Sequence, residues 1–187
     1  VDCQPEKATV SSAEIVGGKG AAGDCFTMNG GTVNDNNATY GGGISASNGS
    51  SFTINDGEIT NNTARSFGGG IFLMPDGTAN ITGGNVHNNI ARENGDGIYL
   101  SYNDCNDEVD EPINMKEIPF FYGCGIATLN LSSDAFINKN NDVYLDGTDT
   151  AVNVLSKLNK ITRENPIALT PSDTTTVSTT TGVVGNK

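Results

Sequence analysis

Three glycine-rich runs set the terms for this chain. Gly41-Gly42-Gly43-Ile44, Gly68-Gly69-Gly70-Ile71 and Gly95-Asp96-Gly97-Ile98 place an isoleucine every 27 residues, twice in succession. Upstream of each run stands an apolar pair spaced by five: Met28 and Val33, Ile54 and Ile59, Ile81 and Val86. A glycine follows the first member by three (Gly31, Gly57, Gly84), an asparagine by eight (Asn36, Asn62, Asn89) and an alanine by ten (Ala38, Ala64, Ala91). A period in this range belongs to solenoids and arrays. The repeat has no helical i, i+3, i+4 spacing. Pieces such as Ser51-Phe52-Thr53-Ile54 and Gly57-Glu58-Ile59-Thr60 are short, β-prone and bounded by turn residues, which reads as strands. Three short strands in about 27 residues predict an all-β parallel β-helix, a solenoid whose coils pair along its axis.

In such a stack the inward residues form columns: Met28, Ile54, Ile81; Val33, Ile59, Val86; Ile44, Ile71, Ile98. No coil buries these residues alone, so the core exists only as a stack. Asn36, Asn62 and Asn89 fall at one corner, where asparagine tolerates the left-handed conformation and its amide can bond the coils above and below. Asp35, Asn61 and Asn88 make a second column one residue earlier. The glycine runs supply positive φ and let successive backbones turn closely.

The GGGI run, the FTI-type strand and the Asn-rich corner resemble the repeats of right-handed β-helix proteins on bacterial surfaces. The chlamydial polymorphic outer-membrane proteins, with their GGAI and FxxN repeats, carry the best-known version. The resemblance covers about residues 26–145 and implies a right-handed β-helix, secreted or cell-surface in location and mostly non-enzymatic. The large membrane barrel at the carboxy terminus of the chlamydial proteins has no counterpart in this sequence, so their export route does not transfer.

The chain of 187 residues reads as a single β-helix domain. Residues 1–25 form an irregular amino-terminal cap, with Thr9-Val10 and Glu14-Ile15-Val16 as candidate strands. Residues 26–145 are coils, in which Leu129, Leu131 and Phe136 take the places of Phe52, Ile54 and Ile59 and the repeat ends at Leu145. Residues 146–187 form a carboxy-terminal cap with a Thr-rich, strand-capable tail docked on the stack. A start at Val1 reads as a processed form. The net charge of −12 disfavours nucleic acid and anionic membranes as partners. No apolar run is long enough to span a bilayer.

One insertion breaks the period. The equivalent apolar positions are ten apart from Ile44 to Ile54 and from Ile71 to Ile81, but 33 apart from Ile98 to Leu131. The extra residues lie within 101–127, and insertions in solenoids often form the binding face. Their first half is acidic, and Asp104, Asp107, Glu108 and Asp110 are candidate oxygen ligands for calcium, the one cofactor this sequence suggests. Their second half carries Phe120, Phe121 and Tyr122 as candidate contact residues. The four cysteines include no CxxC pair and the chain has one histidine, so no zinc site is expected. An even count fits disulfides in an oxidising compartment. Of three possible pairings, Cys105 with Cys124 and Cys3 with Cys25 are expected, because each pair brackets an irregular segment.

Pectate lyases and polygalacturonases use this fold, which brings catalysis within its reach. It needs clustered acids, or acids holding calcium beside a base. Arg65 and Arg92 should stack on adjacent coils, where two guanidiniums could grip a carboxylate or uronic acid. Asp96 reads as a surface acid, and His87 as outward-facing without a partner. No catalytic residue is assigned. The expected function is a non-enzymatic extracellular or surface protein acting in adhesion or recognition, its partner a surface protein or glycan. The alternatives are a subunit that joins end to end into filaments and a pectate-lyase-like carbohydrate-active enzyme.

Overall fold

The computed structural model describes residues 5–6, 10–11, 15–16, 25–46, 49–103, 125–147 and 150–172. Among the described residues there is no helix, and the strands form a parallel β-solenoid. Its long sheet runs in the order Pro5–Glu6, Cys25–Asn34, Ser51–Thr60, Thr78–Ile81, Thr128–Leu131, Ala151–Val154. The later halves of Cys25–Asn34 and Ser51–Thr60 continue round a bend and pair in series with Val10–Ser11, Asn85–His87 and Phe136–Ile137. A six-stranded sheet closes the coils: Ile15–Val16, Ile44–Ala46, Ile71–Leu73, Ile98–Leu100, Val143–Leu145, Leu169–Pro171. Between these two lies a strand the repeat did not announce, in a three-stranded sheet of Asn37–Tyr40, Thr63–Phe67 and Ile90–Ala91.

The apolar columns are in the expected register. Met28 pairs with Ile54, Ile54 with Ile81, and Ile81 with Leu131. Ile44, Ile71, Ile98 and Val143 pair in turn. All of these, with Val33, Ile59 and Val86, are no more than 2 % exposed. Removing such side chains from water at about 25 cal/mol per Å² of apolar surface is the main favourable term in the fold.

The asparagine corner is a continuous buried ladder. Asn36 Nδ2 donates to Asn62 Oδ1 (2.9 Å), Asn62 Nδ2 to Asn89 Oδ1 (3.0 Å) and Asn89 Nδ2 to Asn141 Oδ1 (3.1 Å). Each acceptor oxygen also takes the backbone N–H of the asparagine in the preceding coil. Asn62 and Asn89 further donate to the Val33 and Ile59 carbonyls, which tie the corner to the core strands. The left-handed residues are those one position earlier: Asp35, Asn61 and Asn88 have φ of 57°, 56° and 55°. Division of labour explains the doubled polar residue: one turns the chain and the next bonds along the axis.

The fourth coil departs from expectation in three ways. Ile137, not Phe136, pairs with Val86 and is fully buried, while Phe136 pairs with Asn85. The turn through Ser132, Ser133 (φ 51°) and Asp134 holds one more residue than its counterparts, and one residue reverses which side chains face inward. Matching Val143-Tyr144-Leu145 to Ile98-Tyr99-Leu100 in the sequence sets Asn141 against Asp96, but Asn141 instead supplies the fourth rung of the asparagine ladder. Pairing also continues past Leu145: Ala151–Val154 pairs with Thr128–Leu131, and Leu169–Pro171 with Val143–Leu145. In the cap, Val10–Ser11 and Ile15–Val16 do pair with the first full coil. The Thr-rich tail from residue 173 onward lies outside the described residues.

Candidate functional site

The short fourth coil opens a step in the side of the solenoid. It supplies no strand beneath Ile90–Ala91, so the three-stranded sheet ends there and Ile90 is 59 % exposed. Asp96 answers this edge. Its Oδ1 accepts the Ala91 N–H at 2.8 Å, a donor that the next strand would otherwise take. Its own N–H donates to Asp142 Oδ1 at 2.9 Å. The same position holds Gly42 and Gly69 in earlier coils, where a Cβ would collide with the following coil: Gly69 O and the Thr63 backbone, then Asp96 O and the Ile90 backbone. Asp96 is therefore admitted by the missing strand and caps the edge that strand leaves, a larger role than a surface acid.

Two columns of aromatic rings run down the outer face toward this step. The residues after Ile71, Ile98 and Val143 give the column Phe72, Tyr99, Tyr144. Across the glycine corner stand Tyr40 and Phe67. Ring centroids lie 5.5 Å apart for Tyr40 and Phe72, 4.6 Å for Phe67 and Tyr99, 5.3 Å for Phe72 and Tyr99, and 5.2 Å for Tyr99 and Tyr144. The second column stops at Asn94, which bridges to Phe67, so among the described residues Tyr144 has no ring beside it from across the corner. Phe72 is fully buried, Tyr99 is 5 % exposed and Tyr144 is only partly covered. The Tyr99 hydroxyl donates to Asp146 Oδ2 at 2.8 Å. Burial first, then Asp146, Tyr144 and Glu93, push the Tyr99 hydroxyl well above the usual tyrosine range. Burial, Asp146 and Asp142 raise Tyr144 as well.

The insertion leaves the solenoid next to this face. Its base is an antiparallel pair, Tyr102 opposite Ile126 and Asn103 opposite Gly125. It is wedged between neighbouring loops. A Cβ on Gly125 would strike the Asp76 carboxylate, and one on Gly147, beside Asp146, would strike the Tyr102 ring. The two strands thus return the chain to the solenoid at the point where it left.

The remaining expected site residues fall as follows. Arg65 and Arg92 are exposed and, following the paired Ala64 and Ala91, stand on adjacent coils. Neither makes an ion pair among the described residues. His87 is half-buried rather than free at the surface, and its Nδ1 lies 3.3 Å from Thr60 Oγ1, the residue beside it in the stack. Asp104, Cys105, Asp107, Glu108, Asp110, Phe120, Phe121, Tyr122, Cys124 and Cys3 lie outside the described residues, as does the side chain of Cys25. The aromatic columns were not foreseen. The first was visible as an aromatic after the repeat isoleucine, but the second depends on how the glycine corner folds.

Among the described residues no helix is long and apolar enough to cross a membrane, and no group of His, Cys, Asp or Glu is placed to hold a metal ion. Comparison with protein families, with characterised proteins and with solved structures finds no match for this chain.

Proposed function

We propose that this protein is a non-enzymatic recognition module, secreted or displayed at a cell surface, whose solenoid presents the 104–124 segment as a contact loop. The observation that carries this reading is the paired base at Tyr102–Asn103 and Gly125–Ile126, seated against Asp76 and Gly147. A stack of buried columns is a rigid support, and a loop tied at its root to such a support loses less entropy on binding than a free one. The likeness of the GGGI and Asn-corner repeats to bacterial surface proteins supports the same reading. The test replaces residues 104–124 with an Asn-Gly turn, which joins two antiparallel strands directly. The melting transition should be retained, while binding of labelled protein to cells or to arrays of surface glycoproteins and glycans should fall at least about tenfold, the size of effect expected when central contacts are lost. Equal binding by the two proteins would refute the proposal.

End-to-end assembly is a second reading, favoured by the last described rung. Asn153 ends an outward amide ladder, donating to Asn130 Oδ1, which in turn is bonded through Asn130 Nδ2 to Asn80. Its strand, Ala151–Val154, is the edge of the long sheet among the described residues. Light scattering of the full chain and of a chain ending at residue 172 separates the outcomes: filaments from the first and not the second establish this reading, and monomers from both exclude it.

A further inference from the structure

Beyond the contact loop, we infer that the open face of Tyr144 is a docking seat for an arginine side chain on a basic partner segment. The seat uses no residue of the 104–124 segment. Three observations carry it. First, Tyr144 continues a stack of rings, lying nearly parallel to Tyr99 at an interplanar angle of 14°. Its column partner on the far side is Thr170, short and exposed, so among the described residues no aromatic stacks on that face of the ring. Second, the neighbouring column ends at Asn94, and among the described residues the fourth coil supplies no strand to continue it beside the ring. Third, the surroundings are acidic. Asp142 and Asp146 act on the Tyr144 hydroxyl, and Glu93 and Asp146 on that of Tyr99. Asp142 and Asp146 each commit one oxygen inward, to the Asp96 N–H and the Tyr99 hydroxyl. Among the described residues neither is in an ion pair. Arg92, immediately after the open edge strand, is the guanidinium this chain itself brings to the step, and it also makes no ion pair among the described residues.

An aromatic face flanked by unneutralised carboxylates is complementary to a cation, which the carboxylate charges and the negative face of the ring attract together. Arginine fits better than lysine. Its flat guanidinium extends a stack of flat rings, and its fork of N–H donors reaches a carboxylate in the same plane, whereas an ammonium is a hydrated point charge. A net charge of −12 draws any basic peptide by long-range attraction, so the test must separate that attraction from the seat.

The experiment is calorimetric titration of the full chain with two peptides of equal length and charge, one built on arginine and one on lysine. The arginine peptide should bind several-fold more tightly. Tyr144→Leu keeps every charge and should weaken the arginine peptide about 3- to 30-fold, the range of a cation–aromatic contact. Tyr144→Phe should bind as the parent does, which also guards against a folding defect in the leucine variant. Asp142→Asn should weaken both peptides and the arginine one more. Equal binding of the two peptides, or indifference to Tyr144→Leu in a protein that melts normally, reduces the effect to net charge and overturns the proposal. Binding of a neutral oligosaccharide that Tyr144→Leu abolishes, without arginine preference, overturns it in favour of a sugar.

Discussion

Replacing Asn62 with alanine tests the asparagine ladder where it is most heavily used. Asn62 is fully buried and its side chain makes four hydrogen bonds. It donates to Val33 O and Asn89 Oδ1 and accepts from the backbone and side chain of Asn36. Without it, Asn89 Oδ1 keeps the Asn62 backbone N–H and the Val33 carbonyl stays within its strand ladder, but the Asn36 N–H and the Asn36 amide lose the acceptor they share in the interior. At about 1–3 kcal/mol for each of these two orphaned donors, the loss is about 2–6 kcal/mol, a large share of the whole stability of many domains, about 5–15 kcal/mol. Asn36→Ala is the internal control. Asn36 is as deeply buried, but its Oδ1 already has no partner, since residues 1–24 contain no asparagine to continue the ladder. Among the described residues its side chain makes one hydrogen bond, and Asn62 Oδ1 keeps the Asn36 N–H when that is lost. The cost should be about 1 kcal/mol or less. Urea unfolding followed by circular dichroism gives both values, and amide exchange at residues 36 and 62 locates the opening. A smaller loss for Asn62→Ala than for Asn36→Ala, or equal losses, would refute the ladder as a source of stability.

Ile137→Ala should cost about 2–5 kcal/mol as a cavity in a full core, and Phe136→Ala distinctly less, despite the larger side chain removed; the same urea curves decide it, and the reverse order would restore the uncorrected register. Tyr99 carries a pH signature. Its folded pKa is raised, so it contributes stability below the unfolded value of about 10 and loses that contribution progressively as pH rises beyond it. The melting temperature should fall more steeply above pH ~10 in the parent than in Tyr99→Phe, and equal slopes would contradict the burial and acidic surroundings assigned to this hydroxyl.

What the sequence disclosed depended on periodicity. Ile54, Ile71 and Asn62 were legible because each recurs in register with the same chemistry, and burial follows from alternation along a strand. Phe136 misled because its distance from Leu131, five residues, matches the repeat, while the intervening turn does not. Asn141 was hidden by an alignment that matched Val143-Tyr144-Leu145 correctly and carried the alignment two residues too far back. The role of Asp96 could not be read from Gly95-Asp96-Gly97 alone, since it depends on a strand that the next coil lacks. The Tyr40 and Phe67 rings meet Phe72 and Tyr99 only through the shape of the glycine corner. For the insertion, the sequence located the break and the solenoid positions flanking it, and the antiparallel pair at its root adds what spacing alone does not contain.

The capped edge at Ala91 says something about how such a chain tolerates change. Each sheet of the solenoid is stacked separately, so a coil can drop one strand and keep its place in the other sheets, as residues 136–143 do. The gap is sealed by one carboxylate at a position where the neighbouring coils admit only glycine. Lengthening is equally local: one loop grows between Leu100 and Thr128 while the strands on either side stay aligned with the coil before. Gains and losses of sequence are therefore absorbed within single turns. A lineage built on this plan could rework its outer surface coil by coil, without renegotiating the core.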